Sequence, residues 1–174
     1  MNESNSTIIV IVGHSGSGKS TLAKALGAYF NCEVLGFSYA GRTLAIEDAD
    51  SDSFRKLNDY IYNCITATAQ KSDLTIVDGA ASDQLIRRLA DHGFLLITLF
   101  LDTPYKVRIK RMMERENCLE QDAINLEHVK ATGKLKSGLP MAIQLADKRL
   151  DGAESFDNVV KEAVIFLKER LSSE

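Results

Sequence analysis

At 174 residues, 45% of them hydrophobic and 26% charged, the chain is long enough to bury a core of its own without a metal or disulfide staple. A formal charge of −3 argues against a surface that coats nucleic acid, but it leaves small anionic substrates open, because a local basic site serves those. Cys32, Cys64 and Cys118 are far apart and odd in number; they fit neither a metal-ligand pattern nor a disulfide framework and read as reduced thiols of a cytoplasmic protein.

Met1 to Ser6 is polar and lacks a basic n-region, so no signal peptide is expected. The longest apolar run, Phe94 to Leu101, falls far short of the ~20 residues of a membrane span. One domain, residues 1–174, is the expectation.

Ile8-Ile9-Val10-Ile11-Val12 is an unbroken β-branched run and reads as a strand buried on both faces, as in a parallel sheet. Gly13-His14-Ser15-Gly16-Ser17-Gly18-Lys19-Ser20-Thr21 follows and fits G-x-x-x-x-G-K-[ST], a phosphate-binding loop. Leu22, Leu26 and Tyr29 then recur at helical spacing, so the motif sits between a strand and a helix. Glycines let a backbone turn tightly and aim its N–H groups at a phosphate, and a helix start adds unpaired amides and a positive dipole end. Lys19 can bring charge to a transferred phosphoryl group, and Ser20 can offer a hydroxyl to Mg²⁺. A bare glycine-rich turn would not need the Lys19-Ser20 pair. The side chains of His14 and Ser17 fill variable positions and are assigned no chemistry.

The helix should end near Phe30-Asn31, with a short second strand at Cys32 to Leu35. Gly36 to Arg42 reads as a loop running into a helix. Arg42, past a strand end, is a candidate clamp for an acceptor phosphate, or else a solvated helix arginine. Residues Glu47 to Ser53 are acidic and polar, and Phe54, Leu57, Ile61 and Ile65 give a helix to about Lys71.

Leu74 to Gly79 reads as a third buried strand with Asp78 at its C-terminal tip. Beside a phosphate loop Asp78 can hold Mg²⁺ or accept a proton from an acceptor hydroxyl; the alternative is a capping role for the next helix. That helix spans Ser82 to His92, closed by Gly93, and Phe94 to Leu101 is a fourth buried strand.

Asp102-Thr103-Pro104 should start a helix with a capping side chain and Pro at its first position. Arg108, Arg111 and Arg115 share one face of it, with Tyr105, Ile109 and Met112 as the buried stripe beside them. Arg108 and Arg111 are candidates to neutralise phosphoryl oxygens; the alternative is a solvated basic face. Asn117 to Gly138 is polar, with Gly133 and Gly138 as breaks, and suits either a mobile lid or a plain solvated helix and loop. Ala146 to Gly152 reads as a short edge strand and turn. Ser155 should cap a last helix with Val160, Ala163, Val164, Leu167 and Leu171 inward.

Strands alternate with helices throughout, so an α/β fold with a mainly parallel sheet is expected. The chain resembles the small phosphate-loop kinases of the nucleoside monophosphate kinase and dephospho-CoA kinase group. The matching features are Gly13 to Thr21, the Arg42 position, the Val77-Asp78-Gly79 strand end, Arg108-x-x-Arg111 and, more weakly, Ala146-Asp147 through Gly152.

The resemblance implies a three-layer α/β/α fold with strand order 2-3-1-4-5, acceptor-binding helices at about 38–71 and a lid at about 117–138. It implies an ATP-dependent kinase, with ATP phosphates on the loop (Gly13, Ser15, Gly16, Ser17, Gly18, Lys19, Ser20, Thr21) and Mg²⁺ at Ser20 and Asp78. The acceptor would lie at Arg42, and Arg108 and Arg111 would flank the phosphates. The adenine would lie at the turn Asp151 to Glu154, which includes Gly152. The partner it implies is a small-molecule acceptor, with no nucleic acid or membrane, on a monomer or homodimer.

Two departures bear on the acceptor. Nucleoside monophosphate kinases typically follow the Asp-Gly of the third strand with Phe-Pro-Arg, whereas Ala80-Ala81-Ser82 stands here. Dephospho-CoA kinases and several other hydroxyl-acceptor kinases carry an aspartate just after the second strand, but Val34 to Leu44 holds no carboxylate. A phosphate acceptor is already ionised and needs no base, which favours a nucleoside monophosphate. A hydroxyl-acceptor kinase and a nucleotide-hydrolysing regulator are the rival readings.

Overall fold

The computed structural model describes residues 6–37, 52–79, 82–136 and 138–173. The Ile8–Val12 run forms the centre of the sheet: β1 (Thr7–Val12) is buried at every position. It pairs in parallel with β3 (Leu74–Asp78) on one side and β4 (Leu95–Asp102) on the other. β2 (Glu33–Gly36) adds to β3, and β5 (Lys148–Asp151) adds to β4, both in parallel. The order is β2-β3-β1-β4-β5, as the resemblance implies, and every pairing is parallel, as the strand–helix alternation predicts.

Side chains alternate along β1 and feed two cores. Ile8, Val10 and Val12 meet α2 (Asp52–Ala69), α3 (Asp83–Asp91) and α6 (Leu139–Gln144), through residues such as Ile65, Leu89 and Leu139. Ile9 and Ile11 meet α1 (Lys19–Phe30) and α7 (Phe156–Ser172), through Leu22, Leu26, Ala163 and Leu167. Helices thus cover both faces of the sheet. α4 (Tyr105–Glu116) and α5 (Glu120–Lys136) pack on each other through Ile109, Met112 and Ala123.

Ser155 caps α7 as expected, its hydroxyl accepting from the Asn158 N–H at 3.3 Å. The three cysteines are free and partly buried. Among the described residues no helix is long and apolar enough to cross a membrane.

Three local expectations change. Asp102 does not cap a helix: it ends β4, and its carboxylate accepts from Arg149 Nε at 3.0 Å across to β5. α4 instead begins after Pro104 without a side-chain cap. Tyr105 is 47% exposed, whereas Arg108 is only 7% exposed, so the arginine occupies the inner stripe in its place. Gly133 does not break α5, which runs on to Lys136; the turn falls at Gly138, with φ +89°. A single glycine is tolerated inside a helix at a cost of about 1 kcal/mol.

Candidate active site

β1, β3 and β4 all end on the same side of the sheet, where ligands bind in open α/β folds. The end of β1 leads into the loop Gly13–Gly18, and α1 starts at Lys19 with no acidic residue in its first turn. Gly16 has φ +75°, and a Cβ there would lie 2.6 Å from the Arg108 carbonyl and 3.0 Å from Met112 Cγ. Only glycine lets the loop lie this close to α4.

The loop carbonyls are taken up by donors from elsewhere. Lys134 Nζ donates to Gly13 O at 2.8 Å, and Lys19 Nζ donates to His14 O at 2.8 Å. Arg108 donates to Ser15 O at 3.3 Å. Thr103 Oγ1 and Arg111 each donate to Ser17 O at 3.0 Å. Within the loop the Ser17 N–H donates to His14 O at 3.3 Å, and successive backbone amides in a tight glycine-rich turn of this kind form a concavity that suits an anion. These positions, together with the amide-bearing start of α1, fit a phosphate chain, and Ser20 and Thr21 lie exposed on that first turn.

Lys19 is buried, with its ammonium also 3.3 Å from Ser17 Oγ. Burial pulls it down to about 8, against the opposing pull of the Asp78 carboxylate. Asp78 is 4% exposed at the tip of β3, opposite Ile11, so the structure brings it beside the loop as the sequence suggests. Ser20 and Asp78 have the oxygen chemistry that Mg²⁺ takes.

Arg111 bridges two segments, since its second guanidinium nitrogen donates to Gly152 O at 3.0 Å. Gly152 is buried, and a Cβ there would overlap the Thr103 hydroxyl. Asp151 folds its carboxylate back onto the Ala153 N–H at 2.8 Å. The turn after β5 is therefore packed on Thr103 and tied to the phosphate loop through Thr103 and Arg111. Arg108 is engaged by Thr103 O at 3.2 Å and by the Glu127 carboxylate at 2.5 Å, besides Ser15 O. Arg115 pairs at the surface with Glu116. Arg42 lies outside the described residues.

A family model described as an AAA domain matches residues 8–132. The chain belongs to the AAA domain family. This AAA domain is also similar to solved structures. Shikimate kinase from Bacteroides thetaiotaomicron is 17% identical with TM-score 0.64, covering 96% of this chain and 98% of that one. A gluconokinase from Sinorhizobium meliloti is 20% identical with TM-score 0.63, covering 97% and 96%. Shikimate kinase from Aquifex aeolicus is 20% identical with TM-score 0.57, covering 96% and 99%. In fold, the chain stands with these small phosphate-loop kinases. No curated protein matches the sequence.

Three site residues escaped the reading of the sequence: Thr103, Glu127 and Lys134. Glu127 and Lys134 are seven apart and so share a helix face, a signal that their polar neighbours hid. Nothing in the sequence near Thr103 points to a contact 86 residues away. His14 also has charged surroundings: burial, Arg108 and Lys134 hold its imidazole below the ordinary histidine range, with Glu127 opposing.

Proposed function

We propose that this AAA domain is an ATP- and Mg²⁺-dependent phosphotransferase that passes a γ-phosphoryl group to a small acceptor. The observation that carries the reading is the loop itself, glycine-rich, followed by Lys19 and Ser20 at the start of α1, and tied through its carbonyls to Thr103, Arg108, Arg111 and Lys134. Bound Mg²⁺ supplies charge neutralisation on the phosphates, and Ser20 and Asp78 are the residues to hold it.

Lys19 brings positive charge to the transferred group from the start of α1. Arg111 keeps the turn at Asp151 and Gly152, assigned to the adenine, in register with the loop. Arg108, with its donors on two carbonyls and Glu127, is a positioning residue for Ser15 and α5. α5 forms most of the lid, and the helices at about 38–71, with Arg42, take the acceptor. Catalysis in such a site is mainly alignment plus charge stabilisation.

The favoured acceptor is a nucleoside monophosphate, whose ionised phosphate needs no base. A hydroxyl acceptor is the second reading, favoured by the buried Asp78 beside Lys19, where it can accept a proton. Shikimate kinase and gluconokinase, by their names, act on hydroxy acids without a phosphate, in line with that second reading.

The test is ADP release from Mg-ATP across nucleoside monophosphates, nucleosides, dephospho-CoA and hydroxy acids, with the wild-type chain and with Asp78→Asn. Stimulation by one acceptor names the substrate. Slow release that no acceptor stimulates would replace the kinase with a nucleotide-hydrolysing regulator.

A further inference from the structure

His14, the second residue of the phosphate loop, has no task in the phosphotransferase reading, yet its backbone is closely held. The carbonyls of its neighbours Gly13 and Ser15 accept from Lys134 at 2.8 Å and Arg108 at 3.3 Å. Its own carbonyl accepts from Lys19 Nζ at 2.8 Å and from the Ser17 N–H at 3.3 Å. Three successive pinned residues fix the direction in which the His14 side chain leaves the loop.

The ring is half-buried, and its two nitrogens differ. Nδ1 is enclosed with no hydrogen-bond partner among the described residues, whereas Nε2 is not enclosed. Proteins pair most of the polar atoms that they bury, and an enclosed N–H without an acceptor is rarer than an idle lone pair. The charged groups around the ring are Arg108 of α4, Glu127 and Lys134 of α5 and Lys19 of α1. Arg108 acts on it most strongly of these, and a cation favours a lone pair over a proton beside it. Burial first, and Arg108 next, hold the imidazole below the ordinary histidine range, so at neutral pH the ring carries one proton. The surroundings assign that proton to Nε2, the open edge.

The loop has two ends. Ser17 O is tied through Arg111 to Gly152, in the turn assigned to the adenine. His14 O holds the Lys19 ammonium, and a lysine at this place in the motif reaches the β- and γ-phosphates. The imidazole thus belongs with the end of the phosphate chain that carries the transferred group.

We propose that His14 binds the transferred phosphoryl group, its Nε2–H donating to an oxygen of the γ-phosphate. The inference rests on the reading of the loop as a triphosphate site and adds to it a means of telling ATP from ADP. An uncharged donor orients a phosphoryl oxygen without adding a cation beside Lys19 and Arg108.

The experiment is calorimetric binding of ATP, ADP and inorganic tripolyphosphate to the full chain with Mg²⁺ and no acceptor. Wild type is compared with His14→Leu and His14→Gln, and thermal melts are run alongside. Leucine removes the donor, whereas glutamine keeps an amide N–H at a similar reach. For His14→Leu, ADP affinity is expected to stay within about twofold. ATP and tripolyphosphate affinity should fall about ten- to a hundredfold, the scale of a hydrogen bond to a charged group. His14→Gln should bind ATP within a few-fold of wild type. The chain has three histidines, so ¹⁵N spectra of the imidazoles give a second reading, with the His14 signals identified by their loss in His14→Gln. In wild type at neutral pH the proton should sit on Nε2, and that nitrogen's shift should move with ATP and not with ADP.

A proton on Nδ1 would overturn the proposal, as would unchanged ATP affinity in His14→Leu or a glutamine variant no better than leucine. Equal losses for ATP and ADP would make His14 a structural filler between the loop and α5, and would overturn it too. Should His14→Leu not melt cooperatively, His14→Ala replaces it, judged by the same ratio of ATP to ADP loss. Wild-type protein that binds neither ATP nor tripolyphosphate would remove the phosphotransferase reading and this inference together. Tight wild-type binding with indifferent variants would remove only the inference.

Discussion

Replacing Glu127 with leucine tests how the lid helix is held. Its carboxylate lies 2.5 Å from the Arg108 guanidinium, and neither side chain is more than a tenth exposed. Removing one member of a buried pair leaves an uncompensated charge, at a cost of about 3–5 kcal/mol. Arg108 keeps its bonds to Thr103 O and Ser15 O, which places Glu127→Leu at the lower end, about 3 kcal/mol. In a chain of this size that lowers the melting temperature by about 6–12 °C, a large share of the ~5–15 kcal/mol that holds a domain together.

The assay is urea and thermal unfolding followed by circular dichroism, on wild type, Glu127→Leu, Arg108→Met and the double variant. The double variant removes both charges, so it should regain at least half of what Glu127→Leu loses. A single variant within about 0.5 kcal/mol of wild type, or single losses that simply add, would refute the pair as the clasp between α4 and α5.

Lys19→Ala should lower phosphoryl transfer at least about a thousandfold in the ADP-release assay while the melting curve stays cooperative, because the residue removed is a buried cation rather than core. Normal turnover would contradict the loop mechanism. Gly16→Ala places a Cβ 2.6 Å from Arg108 O at φ +75°, so it should cost about 1–3 kcal/mol in urea unfolding and weaken ATP binding; wild-type stability and affinity would show that the loop tolerates a side chain there.

Lys19 titrates at about 8 in the folded chain against an ordinary 10.5, so between these values the unfolded chain holds the extra proton. Stability of the nucleotide-free protein should therefore rise with pH over that window, by up to about 1.4 kcal/mol per unit from this residue, while ATP affinity falls. Lys19→Met should flatten the rise, and an unchanged slope would reject Lys19 as its source.

The three central strands were readable because they are almost wholly apolar. Ile8–Val12, Leu74–Val77 and Leu95–Leu101 are interrupted only by the buried Thr75 and Thr98, and helices between them force parallel pairing. The phosphate loop was readable because its function is carried by backbone, and the glycines that free the backbone are visible as letters. What holds the loop was not readable. Asp102 and Thr103 look like a capping pair, yet Asp102 turns sideways to Arg149 and Thr103 reaches back to Ser17, choices set by which strand end lies alongside. Arg108 looks like a solvent-facing cation, and its burial is made tolerable by the Glu127 carboxylate docked from another helix together with the carbonyls of Thr103 and Ser15. Local spacing describes a helix face but not what covers it.

The partners of the loop carbonyls lie far along the chain: Thr103 is 86 residues from Ser17, Arg111 is 94, and Lys134 is 121 from Gly13. A growing polypeptide therefore displays the complete nucleotide motif long before it owns a nucleotide site. Contacts of such range form late, after the closure entropy of the intervening chain has been overcome. Nucleotide affinity in this protein is thus a reporter of finished folding. Chains cut before Thr103 should carry the motif and ignore ATP, and during synthesis the ligand can stabilise only molecules whose α4 and α5 have already docked.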